Sequence, residues 1–260
     1  MDFNGHILDV VNTYPHNSLA VIVCQGSQNY GLDTPESDLD TRAIVLPSLK
    51  DLAMNKQPIS HTIVRDNDEH IDVKDVRLFI QLLKKQNLNF VEVLFSPHYV
   101  AIYKYVKFWD TLCSRNEEIA RYNPYAAVQG MAGHAYEKYF KLKREGISRQ
   151  EEVRKFGYDR KQLMHLVRIY FFLEAYVNER SYWECMHPTG IRKDLLMSIK
   201  TGEFSLPQAE TMATEYLGYI DEIRNKFPKT EPNKEISDWL DEQQYRIIEE
   251  TVISNAMVVG

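Results

Sequence analysis

Short apolar runs alternate with turn residues through the first part of the chain. The continuous run at residues 20–24 is typical of a buried strand. The apolar runs together predict strands at residues 18–25, 40–46, 59–65 and 69–73. Asp-Asn-Asp at 66–68 is typical of a hairpin turn between the last two. Residues 75–86 instead show helical periodicity, with Asp75 favourably placed at the positive N-terminal end.

The pattern of the second half is helical. From near residue 116 apolar positions recur at helical spacing, with breaks at 188–190 and 227–228. We therefore predict an α+β fold, in which a mixed β-sheet with helices is followed by an all-helical C-terminal half. The corresponding domains are residues 1–115 and residues 116–260.

The composition is typical of a globular protein without a membrane span. No apolar run approaches the roughly 20 residues of a transmembrane helix, and the N-terminus lacks the basic and apolar regions of a signal peptide. Cys24, Cys113 and Cys185 are widely spaced and form neither a zinc pattern nor a disulfide framework. These features lead us to expect a cytoplasmic protein with no membrane partner.

Charge is unevenly distributed along the chain. The net charge of −6 argues against a protein that coats nucleic acid generally. Residues 133–170 nevertheless hold ten Lys and Arg against five Asp and Glu, whereas residues 1–80 hold six against twelve and residues 201–260 five against twelve. A basic middle beside an acidic N-terminal part suits a polyphosphate or nucleic-acid substrate. A solvated basic helix surface explains the same charges equally well.

The most informative stretch lies between the first two predicted strands. Gly26-Ser27 follows the first apolar run, and ten residues separate Ser27 from Asp38-Leu39-Asp40. If these acids belong to a strand, Asp38 and Asp40 face the same way while Leu39 faces the core. Two adjacent carboxylates repel unless a cation lies between them, and Mg2+ prefers oxygen ligands. The alternative is a Gly-Ser turn followed by a polar loop whose aspartates cap a helix.

A third carboxylate commonly accompanies such a pair in two-metal phosphoryl chemistry. In a strand over 69–73, Asp72 faces away from Ile71 and Val73, which would be core. Asp75 better fits the N-terminus of the following helix. We therefore favour Asp72 over Asp75, the alternative for Asp72 being a surface acid at a strand end.

A basic row lies in the helical half. Lys161, His165 and Arg168 are spaced i, i+4 and i+7, which places them on one helix face. Such a row is well suited to hold triphosphate oxygens or an RNA backbone. The alternative is one structural histidine with two surface cations. Asp159 is the candidate N-cap of this helix, and we interpret His134 as a core or surface histidine in preference to a site residue.

These motifs resemble the nucleotidyltransferase superfamily that includes DNA polymerase β, with its Gly-Gly/Ser, spacer and Asp-x-Asp/Glu signature. The chain more closely resembles the polymerase-β-like proteins of an RNA repair pathway. The matching segments include Gly26-Ser27, Tyr30-Gly31, Ser37-Asp38-Leu39-Asp40, Asp72 with Asp75-Val76-Arg77, Asn89 to Pro97 with Glu92, Tyr158-Asp159-x-Lys161, His165-Leu166-Val167-Arg168, and Thr189-Gly190 followed by Leu195-Leu196 and Gly202-Glu203. The chain departs from the family at Gln28-Asn29, where a basic residue is frequent, and at Lys74, where an aromatic is frequent.

The resemblance implies a nucleotidyltransferase-type sheet, a helical domain that completes the substrate cleft, and a metal-dependent reaction. An NTP, ATP in the first instance, would transfer its nucleoside monophosphate to an acceptor hydroxyl, with an RNA 3′ end favoured, and release pyrophosphate. Catalysis and Mg2+ (or Mn2+) binding would fall to Asp38, Asp40 and Asp72, and nucleotide binding to Gly26, Ser27, Tyr30, Lys161, His165 and Arg168. The alternatives are a nucleotide-binding regulatory module, or nucleotidylation of a protein or small molecule. Base preference, acceptor and oligomeric state stay open.

Overall fold

Five strands form one mixed sheet in a computed structural model of the chain, which describes residues 1–35, 37–143 and 150–259, with backbone alone at 255–259. The strands are β1 (Ser18–Gln25), β2 (Asp40–Leu46), β3 (Ser60–Val64), β4 (His70–Asp75) and β5 (Tyr99–Ala101). Their order across the sheet is β3-β4-β2-β1-β5. β2 and β4 are parallel, and the other neighbours are antiparallel. The α+β class is confirmed; the short edge strand β5 was not among the predicted strands.

Helices make up the rest of the regular structure. They are α1 (Asn4–Thr13), α2 (Leu49–Ala53), α3 (Val76–Lys84), α4 (Leu88–Val91), α5 (Val106–Ser114), α6 (Asn116–Arg121), α7 (Pro124–Lys141), α8 (Gln150–Phe156), α9 (Arg160–Val177), α10 (Tyr182–Met186), α11 (Ile191–Thr201), α12 (Leu206–Lys226) and α13 (Lys234–Val259), with 3-10 turns at Ser27–Tyr30, Glu92–Phe95 and Tyr103–Tyr105. Beyond Pro124 the described elements are all helical, as predicted. Over these same residues, no helix is both long and apolar enough to cross a bilayer.

The period of two along the strands divides the sheet into an apolar and a partly polar face. One face packs on α1 in a cluster of buried side chains: Phe3, Val10, Leu19, Ile22, Cys24, Ala43, Val45, Ile71 and Val73. The alternate positions at the start of β2 and along β4 are polar: Asp40, Arg42, His70, Asp72 and Lys74. This alternation brings the candidate acids onto the face opposite α1.

Internal contacts divide the chain into two compact units. The sheet unit comprises Met1–Asn29, Asp33–Asn123 and Pro232–Gly260, and the helical unit comprises Tyr30–Leu32 and Pro124–Glu231. Helix α13 therefore has its contacts with the sheet unit, where Lys84 Nζ lies 2.6 Å from Asp241 Oδ2. The guanidinium of Arg115 also lies 4.7 Å from the ring centre of Trp239.

Candidate functional site

A tight bend follows β1. Gly26 has φ +84°, in the left-handed region that glycine adopts without a Cβ penalty. The N–H of Asn29 donates to Gly26 O (3.0 Å), which closes the bend at the start of a 3-10 turn. The buried Asn29 side chain stabilises the bend. Its Nδ2 donates to Cys24 O (2.6 Å), and Ser96 Oγ donates to its Oδ1 (2.7 Å).

The carboxylate of Asp40 lies against this bend. Asp40 pairs with Gln25 across β1 and β2, directly before Gly26. A Cβ added to Gly26 would lie 3.9 Å from Asp40 Oδ2. The other oxygen, Oδ1, accepts from the backbone N–H of His70 (3.1 Å) and lies 3.2 Å from His70 Nδ1. The sequence predicted that an acid at the start of β2 lies close to the Gly-Ser bend, and Asp40 occupies that position.

Asp38 occupies a different position from Asp40. β2 begins only at Asp40, so Asp38 lies in the preceding segment and is exposed. The strand alternation from which the sequence predicted a shared face therefore does not extend to it. The inward direction of Leu39 is confirmed, since it packs on the core cluster. A metal-binding role for Asp38 stays a prediction.

Asp72 lies on the predicted face of β4, but its carboxylate already binds two cationic side chains. Asp72 is paired in register with Arg42. Its Oδ2 accepts from Arg42 Nε (3.1 Å) and Nη2 (2.9 Å), while its Oδ1 lies 2.5 Å from Lys74 Nζ. The Arg42 guanidinium also stacks 3.6 Å from the ring centre of Phe90 and donates to Asn89 O. We call Arg42, Asp72 and Lys74 the closed network.

Asp75 is the N-cap of α3, as the sequence indicated. Its side chain accepts from the backbone N–H of Arg77 (2.8 Å) and forms a fork with the Arg77 guanidinium (3.0 and 2.7 Å). This hydrogen bonding raises the pKa of Arg77. Asp75 pairs with Val45 in register and therefore lies on the opposite face of the sheet from Asp72.

The candidate carboxylate ligands fit a site for one hard cation better than a site for two. Across the described ranges no group of three or more His, Cys, Asp or Glu could hold a metal ion. Mg2+, however, is usually held by one or two carboxylates and completes its shell with substrate phosphates and water. Asp40, with Oδ2 at the bend, and the exposed Asp38 are carboxylates that could serve as such ligands, whereas the oxygens of Asp72 already accept from Arg42 and Lys74.

A buried thiol lies beside the bend. Burial, together with the nearby charges of Asp40 and Asp33, raises the pKa of the Cys24 thiol to about 12. The Sγ donates to Gln28 Oε1 (3.3 Å). Cys24 is therefore an inert core residue.

In the helical unit the predicted row lies on α9. Asp159 caps this helix by accepting from the N–H of Gln162 (3.2 Å), as predicted. Lys161 is exposed, His165 is half-buried, and Arg168 is only 4% exposed. The Arg168 guanidinium lies 3.7 Å from the ring centre of Tyr30, which is itself 4% exposed.

This stacking shows a packing role for Tyr30. Its ring is covered by a cation of its own unit, and the segment is held further by Lys200 Nζ, which donates to Leu32 O (2.6 Å). Nucleotide binding by Tyr30, Lys161, His165 and Arg168 stays a prediction.

Sequence reasoning missed a half-buried lysine on α7, Lys138, which lies one turn after His134. Helices α7 and α9 pack together, and the backbone N–H of Asp159 donates to Leu142 O (2.9 Å), which joins the end of one to the start of the other. Burial lowers the pKa of Lys138; Glu137 opposes this, and Lys141, Lys161 and Arg168 lower the pKa further. The available signal was the i, i+4 spacing of His134 and Lys138.

Comparison with known proteins gives a family and a solved structure of low similarity. Residues 6–181 match the family model described as RlaP, the RNA repair pathway DNA polymerase beta family. Among solved structures the chain is similar to a nucleotidyltransferase-like protein from Exiguobacterium sibiricum 255-15, at 10% identity over 85% of this chain and 73% of that chain, with a TM-score of 0.32. None of the curated proteins compared with it matches. The matched segment carries the Gly-Ser bend, the three candidate acids and the α9 row, and the chain belongs to the RNA repair pathway DNA polymerase beta family.

Proposed function

We propose that the protein transfers a nucleoside monophosphate from an NTP, ATP in the first instance, to an acceptor hydroxyl, an RNA 3′ end being favoured. The observation that carries the proposal is the Asp40 carboxylate facing the Gly26 bend. That arrangement combines an oxygen ligand for a divalent cation with a turn whose N–H groups can donate hydrogen bonds to phosphate oxygens. Membership of a polymerase-β-like nucleotidyltransferase family supports the same reaction class.

The residues have distinct roles in this proposal. Asp38 and Asp40 would hold one Mg2+ or Mn2+, which supplies neutralisation of phosphate charge when bound. Ser27 and the N–H groups that open the 3-10 turn would hold the terminal phosphates, because those groups precede the first intrahelical hydrogen bonds. Most of the catalysis then comes from positioning and charge stabilisation.

The acceptor hydroxyl would attack the α-phosphorus in line, forming the new P–O bond as the bond to pyrophosphate breaks. Its proton needs a base, and Asp72 is the predicted one. Both carboxylate oxygens of Asp72 accept from cations. Asp72 would therefore take the proton only after Lys74 leaves Oδ1, and until then it orients Arg42.

A labelled-NTP assay with RNA, protein and small-molecule acceptors tests the proposal. Asp40→Asn keeps the hydrogen-bonding shape and removes the charge, so transfer should fall by about 100-fold or more. Asp66→Asn, an exposed acid of the same unit, is the matched control and should retain full transfer. Full activity in Asp40→Asn would show that the assigned mechanism is wrong.

A second candidate is a nucleotide-binding regulatory module. The closed network favours it, because Asp72 already has cationic partners. Calorimetry separates the two functions: Mg2+-dependent NTP binding that never yields pyrophosphate with any acceptor supports the module. Labelling of protein or small molecules instead of RNA would identify those acceptors, which the net charge of −6 makes reasonable.

A further inference from the structure

Two adjoining clefts lie along helix α5 in the sheet unit. The first has a volume of about 290 Å³, lies between α5 and α13, and is lined by Trp239; we call it the Trp239 cleft. The second has a volume of about 590 Å³ and is lined by Tyr103; we call it the Tyr103 cleft. Lys104, Lys107 and Thr111 line both, so the two clefts share one wall.

The Trp239 cleft has an apolar floor. Phe108 and Ile247 line it and are buried, and Trp239 is half-buried beside them. The guanidinium of Arg115 lies 4.7 Å from the ring centre of Trp239, and Arg115 is itself held by Glu118 (2.5 Å). The cation–π contact therefore keeps the indole in one position. A fixed indole in an apolar cleft is suited to stacking with a planar aromatic group.

The Tyr103 cleft contains a second aromatic ring. Tyr103 is 95% exposed and belongs to the 3-10 turn that follows β5. A single exposed ring is common on protein surfaces and by itself indicates nothing. Its position gives it significance, because it lines a cleft that shares both lysines with the Trp239 cleft.

The shared wall supplies two cations that carboxylates do not neutralise. Lys104 and Lys107 are exposed, and Lys104 Nζ donates to Ser254 Oγ, a neutral hydroxyl. Over the described part of the chain neither lysine forms a salt bridge. Arg246 also lines the Trp239 cleft, but its Nε lies 2.6 Å from Glu242 Oε1. The two lysines are therefore the groups best able to bind an anion.

We propose that the two clefts bind a short single-stranded segment of a nucleic-acid acceptor, with one base on Trp239, a neighbouring base on Tyr103 and the linking phosphate at Lys104 and Lys107. Proteins bind single strands with cations along the backbone and aromatic rings under the bases, because every base has a face that stacks. The identification of the strand as RNA rests on the proposed function. The rings and charges belong to the clefts themselves.

A free mononucleotide is a poorer match for the same clefts. It would occupy one cleft and leave the other ring unused, whereas a shared wall suits a phosphodiester that links two nucleosides. Glu250 lines the Trp239 cleft and Asp110 lines the Tyr103 cleft. These acids oppose the charge of a terminal phosphate, which approaches −2, more than the single charge of a phosphodiester.

Fluorescence anisotropy of a labelled oligoadenylate RNA with the full chain, in the presence of EDTA, tests the site without the metal. Lys107→Gln should weaken binding and make the slope of log K against log salt concentration shallower by about 0.7, because one phosphate contact is lost. Lys50→Gln, an exposed lysine of the same unit outside both clefts, should change neither the affinity nor the slope.

A tyrosine variant tests the stacking. Tyr103→Ser should weaken RNA binding about fivefold or more through loss of one stacked base. Its melting temperature should match that of the wild type, because the ring is 95% exposed. Tyr245→Ser removes an exposed ring of α13 that lines neither cleft and should bind as the wild type does.

Tryptophan fluorescence tests the other base position. Stacking on the indole should quench part of the emission of the wild type when RNA binds. Trp239→Phe keeps an aromatic ring in the cleft, and RNA should quench its emission much less. Undiminished quenching in Trp239→Phe would show that no base stacks on Trp239 and would overturn the proposal.

Two further results would overturn it. One is unchanged RNA affinity in both Lys107→Gln and Tyr103→Ser, and the other is binding of AMP as tight as that of the oligonucleotide. The failures of the two proposals are distinguishable. Transfer to RNA with the wild-type KM for RNA in both variants leaves the proposed function and removes this site. RNA binding that both variants weaken, with no transfer to any acceptor by the wild type, does the reverse.

Discussion

The two units use buried charge in opposite ways. In the sheet unit, the closed network satisfies Asp72 with a two-nitrogen contact from Arg42 and an ion pair from Lys74, and all three side chains are at most 15% exposed. In the helical unit, Lys138 is half-buried beside Lys161 and Arg168 without forming a salt bridge among the described residues. Charges that are matched internally position the sheet, while charges left unmatched are available to a ligand. The comparison indicates which acidic or basic groups a substrate can reach without displacing a partner.

The largest expected effect comes from opening the closed network. Arg42→Met leaves Asp72 without its principal partner in a buried setting, and this should cost about 3–5 kcal/mol in the free energy of unfolding. Urea denaturation measures the loss. Arg246→Met removes an exposed pair with Glu242 and should cost less than about 1 kcal/mol. Equal losses in the two variants would contradict the distinction between closed and surface pairs.

A pair of glycine variants gives the next effect. Gly26→Ala places a Cβ on a residue at φ +84°, which should cost about 1–2 kcal/mol, although the nearest atom, Asp40 Oδ2, is at an ordinary contact distance of 3.9 Å. Gly133→Ala, in the middle of α7 with nothing within 4 Å of the new Cβ, should instead stabilise by about 0.5–1 kcal/mol. Thermal melts check the opposite signs. Stabilisation by Gly26→Ala would show that the bend needs no special backbone geometry.

The dependence of stability on acid pH tests Glu69, a paired carboxylate of the sheet unit. Burial alone would raise the pKa of Glu69, but hydrogen bonds with His6, Asn67 and Arg65 lower it to about 2. Because the folded pKa lies below the ordinary value of 4.5, the stabilisation is complete above pH 4.5 and is lost as the pH falls towards 2. The free energy of unfolding should therefore fall less steeply over this window in Glu69→Gln than in the wild type. Parallel pH curves would contradict the assigned pairing.

The smallest effect has the same sign as that of Glu69 but lies at the alkaline end of the pH range. The pKa of Lys138 is lowered from 10.5, chiefly by burial, so the folded state releases its proton first as the pH rises. The destabilisation is complete below the lowered pKa and disappears towards pH 10.5. The stability advantage of Lys138→Gln over the wild type should therefore shrink as the pH rises through this window. An advantage that grows there would contradict the unmatched character of Lys138.

Features with a local signal were predictable from the sequence. The ends of β1 and β2, the Gly26 bend and the N-caps Asp75 and Asp159 each depend on residues within a few positions of one another. The short strand β5 had no such signal, since its three residues are defined by pairing with β1.

Features that depend on long-range packing were not predictable. The ion pair between Asp72 and Arg42 follows from the parallel register of β2 and β4, which no local sequence pattern determines. Helix packing likewise decides that α13 belongs to the sheet unit. It also decides that Lys138 lies near Lys161 and Arg168 of α9. Sequence reasoning therefore gave the candidate groups and left out the partners that decide their availability.

The thiol beside the bend has a practical consequence. Cys24 is fully buried and its pKa is raised to about 12, so an alkylating reagent can modify it only when β1 and the adjoining segment open transiently. The rate at which Cys24 is alkylated therefore measures how frequently the candidate catalytic centre unfolds locally. A ligand that stabilises the closed bend will lower this rate, so alkylation reports ligand binding independently of turnover.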